Sequence, residues 1–372
     1  MDKFDDIRSF RDDEIPAAMQ RMARDAAIPN ILRFLDFGMD VEQFRQFLCN
    51  IKTIDEFQVF IVQRVVEMIL RQTTDGLSVS GLENLKSGGQ YVFVSNHRDI
   101  TLDAMFMGYA LVQHGFPLFN IAFGSNLVFN ALADDFAKSN RMFKMERGGS
   151  KVEFYQNLSR ISDYIRHLLV DKHESVWIAQ RNGRTKDGRD ATDPALIKML
   201  GMSRRDDRVK SLAGLHIVPV SVSYEWESCD VLKTIELYTS RFQKYEKKPG
   251  EDLNSILTGV KQPKGRVHIH FGPMLSEAVL CEINDCSTGE FYKKVALWMD
   301  GQICGNYMLF PNNYIAHDLQ YGAKTYAGHY SEAQKSDFLH HLEWLDKNSE
   351  ADREVLKAIF LGIYAHPVEQ VR

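Results

Sequence analysis

The middle of the chain alternates between short apolar runs and amphipathic segments, and this alternation restricts the possible folds more than any other feature. The runs are rich in β-branched and aromatic residues, as buried strands are. They read LSVS, YVFV, PLFNIAFGSN, ESVWIAQ, HIVPVSVSY and GRVHIHFG. Segments with helical spacing, such as residues 102–112, 152–170 and 193–200, lie between them. The pattern predicts an α/β fold, in which helices cover the faces of a sheet.

Both ends of the chain have helical patterns without strand-like runs. In FQVFIVQRVVEMILRQ, residues 57–72, apolar side chains recur every three to four residues and predict an amphipathic helix. Such a helix packs on the core or lies at a bilayer interface, and the sequence leaves both open. We expect an N-terminal helical region at residues 1–75, an α/β core at 76–285 and a C-terminal helical extension at 286–372.

The composition argues against several classes of protein. A formal net charge of -5 provides no overall basic field for nucleic acid. Five scattered cysteines fit reduced thiols in the cytosol better than a disulfide framework. The acidic N-terminus does not resemble a secretory signal, and no run approaches the roughly 20 apolar residues of a membrane-spanning helix. We therefore expect any contact with a membrane to be peripheral.

The most informative stretch is VSNHRDITLD, residues 94–103, where a histidine follows a buried strand at once. The carboxyl ends of parallel strands face the crevice in which α/β proteins have their sites. His97 has two carboxylates close behind it, Asp99 and Asp103. A neighbouring carboxylate fixes the tautomer of a histidine and stabilises its imidazolium form, which suits a general base for a hydroxyl group. The alternative is a loop histidine with incidental acidic neighbours.

The letters HRD also occur in protein kinases, but the rest of the kinase pattern is missing. The DFG sequence of this chain, residues 36–38, precedes HRD instead of following it. Ala104 stands where the kinase loop needs Asn, and no glycine-rich loop or VAIK-type strand is present. No G-x-S-x-G sequence is present either, which disfavours a serine hydrolase.

Two glycine turns carry positive charge in a chain that is acidic overall. Residues 141–149, RMFKMERGG, contain Arg147, and residues 180–189, QRNGRTKDGR, contain Arg181 and Arg184. Backbone N–H groups and guanidinium groups in such turns bind phosphate. Each turn could also be a basic surface loop.

We interpret the last two strand-like runs as structural strands of the sheet. Pro219 in HIVPVSVSY suggests a sheet edge or a turn at the rim. His268 and His270 alternate along GRVHIHFG, and no third ligand accompanies them. We expect no metal site.

In this order and with these gaps, the stretches resemble the glycerolipid acyltransferase family. That family has NHxSxxD after a strand, a block ending in Phe and Arg, a block built on EGxR, and a strand carrying VPV. The corresponding residues here are Asn96-His97-Arg98…Asp103, Phe143…Arg147, Asn182-Gly183-Arg184 and Val218-Pro219-Val220. The resemblance spans roughly residues 76–275 and is greatest for bacterial 1-acylglycerol-3-phosphate acyltransferases. It implies an α/β fold with a mixed sheet flanked by helices.

Two departures from the family pattern concern the site. Family members have four residues between His and Asp, whereas five separate His97 from Asp103. Asp103 can reach His97 through an irregular turn, and otherwise Asp99 takes its place. In the third block Asn182 replaces the family's Glu, and one residue is missing before Arg184.

The resemblance implies acyl transfer from a thioester, on coenzyme A or acyl carrier protein, to a lysophospholipid hydroxyl. His97 is then the base, Asp103 or Asp99 orients it, and Arg184 and Arg147 bind the acceptor phosphate. The substrate-binding residues that we expect from the matched blocks are Arg98, Arg147, Arg181, Asn182, Gly183 and Arg184. Neither a metal nor a cofactor beyond the co-substrate is implied.

The acceptor expected from the resemblance is 1-acyl-sn-glycerol-3-phosphate, which would give phosphatidic acid. Glycerol-3-phosphate, a lyso-aminolipid, or water in a thioester hydrolase are alternatives. A non-catalytic membrane-associated protein of the same fold is an alternative of another class. We expect a cytoplasmic protein, peripheral on the inner face of the cytoplasmic membrane, with no nucleic-acid partner.

Overall fold

The structure, a computed structural model, describes residues 3–35, 37–128, 130–146, 148, 150–347 and 351–371. Its sheet strands are β1 (Thr74–Ser80), β2 (Val92–Ser95), β3 (Phe119–Gly124), β4 (Met142–Met145), β5 (Ser175–Ala179), β6 (Ile217–Tyr224) and β7 (Gly265–Phe271). The helices before β3 are α1 (Ile15–Arg24), α2 (Ile28–Phe34), α3 (Val41–Asn50), α4 (Ile54–Phe57), α5 (Arg64–Thr73) and α6 (Leu102–Gln113). Those between β3 and β7 are α7 (Ala131–Ser139), α8 (Lys151–Val170), α9 (Pro194–Leu200), α10 (Arg208–Ala213), α11 (Asp230–Ser240) and α12 (Glu251–Lys261). After β7 come α13 (Glu277–Ile283), α14 (Thr288–Gly305), α15 (Pro311–Tyr321), α16 (Glu332–Leu342) and α17 (Arg353–Gln370).

The strands form one mixed sheet in the order β1-β7-β6-β2-β5-β3-β4. Neighbouring strands are parallel except β6 and β7, which are antiparallel. Helical connections return the chain between parallel strands, as parallel pairing requires. The predicted fold class, a mixed α/β sheet flanked by helices with helical regions at both ends, is confirmed.

β2 lies in the middle of the sheet, and its side chains divide between two hydrophobic cores. Val92 and Val94 face a core with Ile165 of α8, whereas Phe93 faces the opposite core with Phe57 and Phe106. Successive side chains of a strand point to opposite faces, so both faces of this strand are covered and its run of apolar residues is continuous. The loop after β2 therefore starts from a rigid, fully buried base.

The predicted amphipathic helix is present and is interrupted by a π-helical turn. Residues Gln58–Gln63 form that turn between α4 and α5. The apolar face packs on the core, where Phe57, Ile61 and Ile69 are buried, while Phe60 is exposed. The packing of this segment on the core thus accounts for most of its apolar face.

Of the two placements predicted for Pro219, a sheet edge or a turn at the rim, the sheet edge is wrong. It belongs to β6, a central strand between β2 and β7. The ladder between β6 and β7 ends at the Val220–Phe271 pair, and the carbonyl of Pro219 accepts the N–H of Gly272 at 2.8 Å. The N–H and C=O groups of one strand residue point toward the same neighbouring strand. The missing N–H of Pro219 would therefore point toward β7, beyond the last pair of the β6–β7 ladder. No hydrogen bond of that ladder is lost there.

The C-terminal helices form a third core that packs on α11. Phe338, Phe360 and Tyr364 are buried there against Trp226. The Tyr364 hydroxyl donates to Asp230 at the start of α11, at 2.6 Å. No helix among the described residues is both long and apolar enough to cross a bilayer.

Candidate active site

The loop after β2 is tied to the sheet by Asn96. Its side chain is fully buried, accepts the N–H of Val222 at 2.8 Å and donates to the carbonyl of Val222 at 3.0 Å. The loop of the third block is tied to the same place, because Thr185 N–H donates to the carbonyl of His97 at 2.7 Å. These backbone anchors fix the position of His97 before its side chain makes any contact.

His97 is paired with Asp103. Nδ1 of His97 lies 2.9 Å from Oδ2 of Asp103, and the Asp103 side chain is completely buried. The same Oδ2 accepts the backbone N–H groups of Arg98, at 2.7 Å, and Asp99, at 3.0 Å. The turn at residues 98–101 is irregular and absorbs the extra residue between His97 and the first turn of α6. Asp103, not Asp99, is therefore the carboxylate that contacts the histidine.

Tyr224 completes the environment of Asp103. Its buried hydroxyl donates to Oδ1 of Asp103 at 2.8 Å. Burial, followed by the charge of Asp103, raises the pKa of the Tyr224 hydroxyl well above its usual value. Because each of these partners donates to Asp103, its carboxylate is held in one orientation. Nδ1 of His97 then carries the proton, which leaves Nε2 as the basic nitrogen.

Asp99 contacts the start of α6. Its Oδ1 accepts the N–H groups of Thr101 and Leu102, each at 2.9 Å, and its Oδ2 accepts the hydroxyl of Ser228. Burial alone would raise the pKa of Asp99, but these hydrogen bonds and the nearby charge of Arg184 hold the pKa below its usual value. Asp99 thus shapes the turn without touching His97.

His97 opens into a cavity between α6 and β3. Its side chain is 14% exposed, and Nε2 makes no hydrogen bond within the described part of the chain. Apolar side chains line most of the cavity: Ile100, Ala104, Met105, Ile121, Ala122, Phe123, Leu127, Phe136, Met142, Trp177 and Ala179. A basic nitrogen therefore faces a largely apolar space, as a base does when its substrate carries a hydrocarbon chain.

Three basic residues and Asp252 line one part of the cavity, which we call its mouth. Arg181, Gly183 and Arg184 of the third block line it, and so does Lys247, which the sequence analysis missed. Nη1 of Arg184 and Nε of Arg181 are buried without a hydrogen-bond partner. Neither arginine makes an ion pair with any residue that the structure describes. Buried cationic donors without protein partners suit an anionic ligand.

One predicted substrate contact lies away from the cavity, and another is not among the described residues. Asn182 is exposed and does not line the cavity. Arg147 lies outside the described residues.

Arg98 needs a correction, because its side chain is 1% exposed and points away from the cavity. Its guanidinium pairs with Asp190 at 2.5 Å and with Glu227 at 3.4 Å, and it stacks over the ring of Tyr307 at 4.9 Å. These groups neutralise it, so it is not free to bind an anion. Arg98 holds the turn beside His97.

Lys233 supports this turn from the other side. Its ammonium donates to the backbone carbonyl of Arg98 at 2.7 Å and pairs with Glu227 at 2.6 Å. Tyr224, Lys233 and Lys247 had no recognisable signal in the sequence, because each reaches the site from an element remote along the chain. Only Tyr224 lies next to a matched block, at the end of the VPV strand.

Comparison with known proteins identifies the central segment. Residues 76–223 match the family model described as acyltransferase, and this range contains His97, Asp103 and Arg184. No curated protein matches the chain. A solved structure that resembles it is the 1-acyl-sn-glycerophosphate (LPA) acyltransferase PlsC from Thermotoga maritima, with a TM-score of 0.38 and 12% identity over 77% of this chain and 91% of that one.

The family match and the motif residues agree, and the acyltransferase assignment predicted from the sequence is confirmed. Residues 76–223 form an acyltransferase domain, and the chain is an acyltransferase enzyme.

Proposed function

We propose that this enzyme transfers a fatty acyl group from a thioester to the hydroxyl of a lysophospholipid, with 1-acyl-sn-glycerol-3-phosphate as acceptor and phosphatidic acid as product. One observation carries the proposal. The His97–Asp103 pair opens into an apolar cavity whose mouth holds two arginines with unpartnered buried nitrogens. A base, a space for a hydrocarbon chain and an anion site are thus adjacent.

The chemistry needs one base and no covalent enzyme intermediate. Nε2 of His97 takes the proton of the acceptor hydroxyl while the oxygen attacks the thioester carbonyl. The tetrahedral intermediate then collapses, the C–S bond breaks, and the departing thiolate takes the proton back from His97. Asp103 stabilises the imidazolium formed in between, as a buried carboxylate does in a Ser-His-Asp triad. General base catalysis of this kind contributes roughly 10²- to 10⁴-fold.

The arginines supply the acceptor site. A phosphate monoester carries about two negative charges near neutral pH and presents oxygens that match guanidinium groups. Arg184 and Arg181 lie at the mouth of the cavity that contains His97, which suits an acceptor whose phosphate stays outside while its hydroxyl enters. We assign Arg147 to the same phosphate as a prediction from the family pattern.

The apolar part of the cavity is the proposed site of the acyl chain. A second, smaller cavity shares Ala104, Met105 and Ile121 with the first, and Gly108 lies along it. Gln58 and Gln63 of the π-helical turn line this second cavity. A chain that enters from His97 would run along α6 and meet buried polar groups at its end.

The donor and the location complete the proposal. The thioester is acyl-coenzyme A or acyl carrier protein. The enzyme works in the cytoplasm as a peripheral protein on the inner face of the cytoplasmic membrane. An acceptor with one long acyl chain resides in a bilayer, so an enzyme that uses it must meet that surface.

The test is thiol release from an acyl-coenzyme A in the presence of lysophosphatidate, with identification of the lipid product. The wild type should form phosphatidic acid, and His97→Ala should lose at least ~10²-fold in rate. His340→Ala is the matched control, because His340 is exposed on α16 and far along the chain from the site. Its rate should equal the wild-type rate.

Acceptors compared side by side decide the substrate. If a lyso-aminolipid or glycerol-3-phosphate is acylated and lysophosphatidate is not, the proposed acceptor is wrong. Release of free fatty acid without any alcohol indicates a thioester hydrolase. No turnover with any donor and acceptor favours the non-catalytic alternative.

A further inference from the structure

The connection between α11 and α12 concentrates positive charge at the surface. Residues 241–248 read RFQKYEKK and contain four basic residues and one acidic residue. All of them except Tyr245 are exposed. The chain as a whole carries a net charge of -5, so this segment stands out as a local basic patch. We call residues 241–257, which include this patch and the start of α12 with its acidic residues Glu251 and Asp252, the basic lip.

Large apolar side chains accompany this charge. Phe242 is 71% exposed, and Leu253 and Leu257 of α12 are 39% and 42% exposed. Leu253 and Leu257 are one helical turn apart and therefore lie on the same face of α12. Exposed apolar side chains among cations need an explanation that a merely solvated loop does not provide.

The opposite face of α12 is fixed to the active-site turn. Ser255 and Gly259 are buried, and a Cβ atom at Gly259 would come within 2.2 Å of Oδ2 of Asp99. The inner face of the helix is thus packed against the loop that follows His97. Its outer face, which carries the two leucines, is directed to solvent.

The basic lip borders the cavity mouth. Lys247 and Asp252 line the cavity that contains His97, and they form an ion pair at 2.5 Å. The hydroxyl of Tyr245 donates to Glu251 at 2.8 Å, which holds the connection against the first turn of α12. A partner that docks on the lip is therefore placed directly at the entrance to the site.

We propose that the basic lip docks on an anionic lipid surface, with Phe242, Leu253 and Leu257 inserted at the level of the headgroups. Lysines bound to anionic headgroups and apolar side chains at the acyl boundary are the two contributions that hold peripheral proteins on membranes. Lysine is depleted in protein–protein interfaces, which favours a lipid surface over a protein partner. The choice of a lipid surface also rests on the proposed function, since it delivers a lipid acceptor to the mouth.

The test is flotation of the full chain with vesicles of phosphatidylcholine, with and without about one third phosphatidylglycerol. The wild type should bind the anionic vesicles and bind the neutral ones at least ten-fold more weakly. Two variants examine the contributions separately: Lys244→Glu with Lys248→Glu for charge, and Phe242→Ser with Leu257→Ser for insertion. Each pair should weaken binding to anionic vesicles by on the order of ten-fold or more, because each charged or apolar contact contributes up to several-fold.

The matched control changes the same residue types on another surface. Lys293 and Leu297 are exposed one turn apart on α14, and Leu297 is 68% exposed. Lys293→Glu with Leu297→Ser should bind vesicles as the wild type does. None of the altered residues belongs to the proposed catalytic or phosphate-binding groups, so transfer to a soluble short-chain acceptor should stay at the wild-type rate.

Three results of the vesicle-binding assay would overturn the proposal. They are absence of vesicle binding by the wild type, equal binding by wild type and both lip variants, and an equal loss in the α14 control. If the lip variants instead lose a dimer in analytical ultracentrifugation, the lip contacts a second copy of the chain. If they lose only transfer from acyl carrier protein and still bind vesicles, an acidic protein is the partner. Vesicle binding is measured without turnover, so failure of the acyl-transfer proposal remains distinguishable from failure of this one.

Discussion

Replacing Asp103 by Asn removes a charge while the structure keeps the means to hold the side chain in place. Oδ2 of Asp103 accepts three donors, the N–H groups of Arg98 and Asp99 and Nδ1 of His97. Oδ1 accepts the hydroxyl of Tyr224. The amide oxygen of Asn can take the first position and its NH₂ group can donate to the tyrosine oxygen. The variant therefore tests charge more than geometry.

The expected loss of rate in Asp103→Asn follows from the separation between the charges of His97 and Asp103. Nδ1 and Oδ2 are 2.9 Å apart, and the centres of the delocalised charges on imidazolium and carboxylate are about 4 Å apart. At an effective dielectric constant of about 20, two charges at 4 Å attract by about 4 kcal/mol. The imidazolium exists only after proton transfer, so losing this attraction raises the barrier. We expect Asp103→Asn to lower kcat by roughly 10²- to 10³-fold, with little change in KM.

Asp99→Asn is the comparison, since it removes an equal charge four residues away in the chain. Asp99 accepts N–H groups at the start of α6 and the hydroxyl of Ser228, and it does not contact His97. Its loss should lower the free energy of unfolding by about 1–2 kcal/mol and the rate by less than ten-fold. Both rates are measured by thiol release, and folding by denaturant titration. If Asp99→Asn loses more activity than Asp103→Asn while both are folded, the assignment of the pair is refuted.

Four further results are expected. Tyr224→Phe should lower the free energy of unfolding by about 1.5–3 kcal/mol in denaturant titration, because a buried donor to a charged oxygen is lost. The same variant should lower kcat about ten-fold in the thiol-release assay. Arg184→Gln should raise KM for lysophosphatidate by at least ten-fold and change KM for the thioester little, which initial rates at varied acceptor and donor will show. Gly108→Ala places a methyl group 3.2 Å from Leu118 beside the second cavity, so a series of acyl-coenzyme A donors should show a several-fold shift in kcat/KM toward shorter chains. Lys264 is buried and donates to neutral oxygens of Thr73, Val260 and Gln262, and burial lowers its pKa from 10.5 to about 8. Between pH 8 and 10.5 the unfolded chain therefore binds a proton that the folded chain has lost. The free energy of unfolding should rise by about 3 kcal/mol as the pH rises through this window. Lys264→Met should remove that rise in parallel denaturant titrations.

The sequence determined the architecture and the family by itself, because both depend on local pattern. Apolar runs that alternate with amphipathic segments are enough to predict a sheet with helices on its faces. The position of His97 directly after the buried run YVFV is also local, and strand ends are where α/β proteins have their sites. Together with the order of the four blocks, these features led to the acyltransferase family before any distance was known.

Side-chain partners could not be predicted in the same way. Spacing along the chain could not distinguish Asp103 from Asp99, because the turn between β2 and α6 is irregular and a helical wheel does not apply to it. Arg98 seemed a substrate contact from its place beside His97, yet Asp190 and Glu227, far along the chain, bury it in an ion pair. A charge in a motif and a charge in a core look the same in sequence.

Only the tertiary structure decided what surrounds the site. Pro219 could be central because β7 ends opposite it, which depends on register between strands that are distant in sequence. Tyr224 and Lys247 reach the site from the end of β6 and from the lip before α12. Periodicity and motif order depend on residues that are neighbours in the sequence, and they were enough to locate the start of the site. Hydrogen bonds, ion pairs and burial depend on which parts of the chain meet in space. The tertiary structure therefore determined which other groups complete the site.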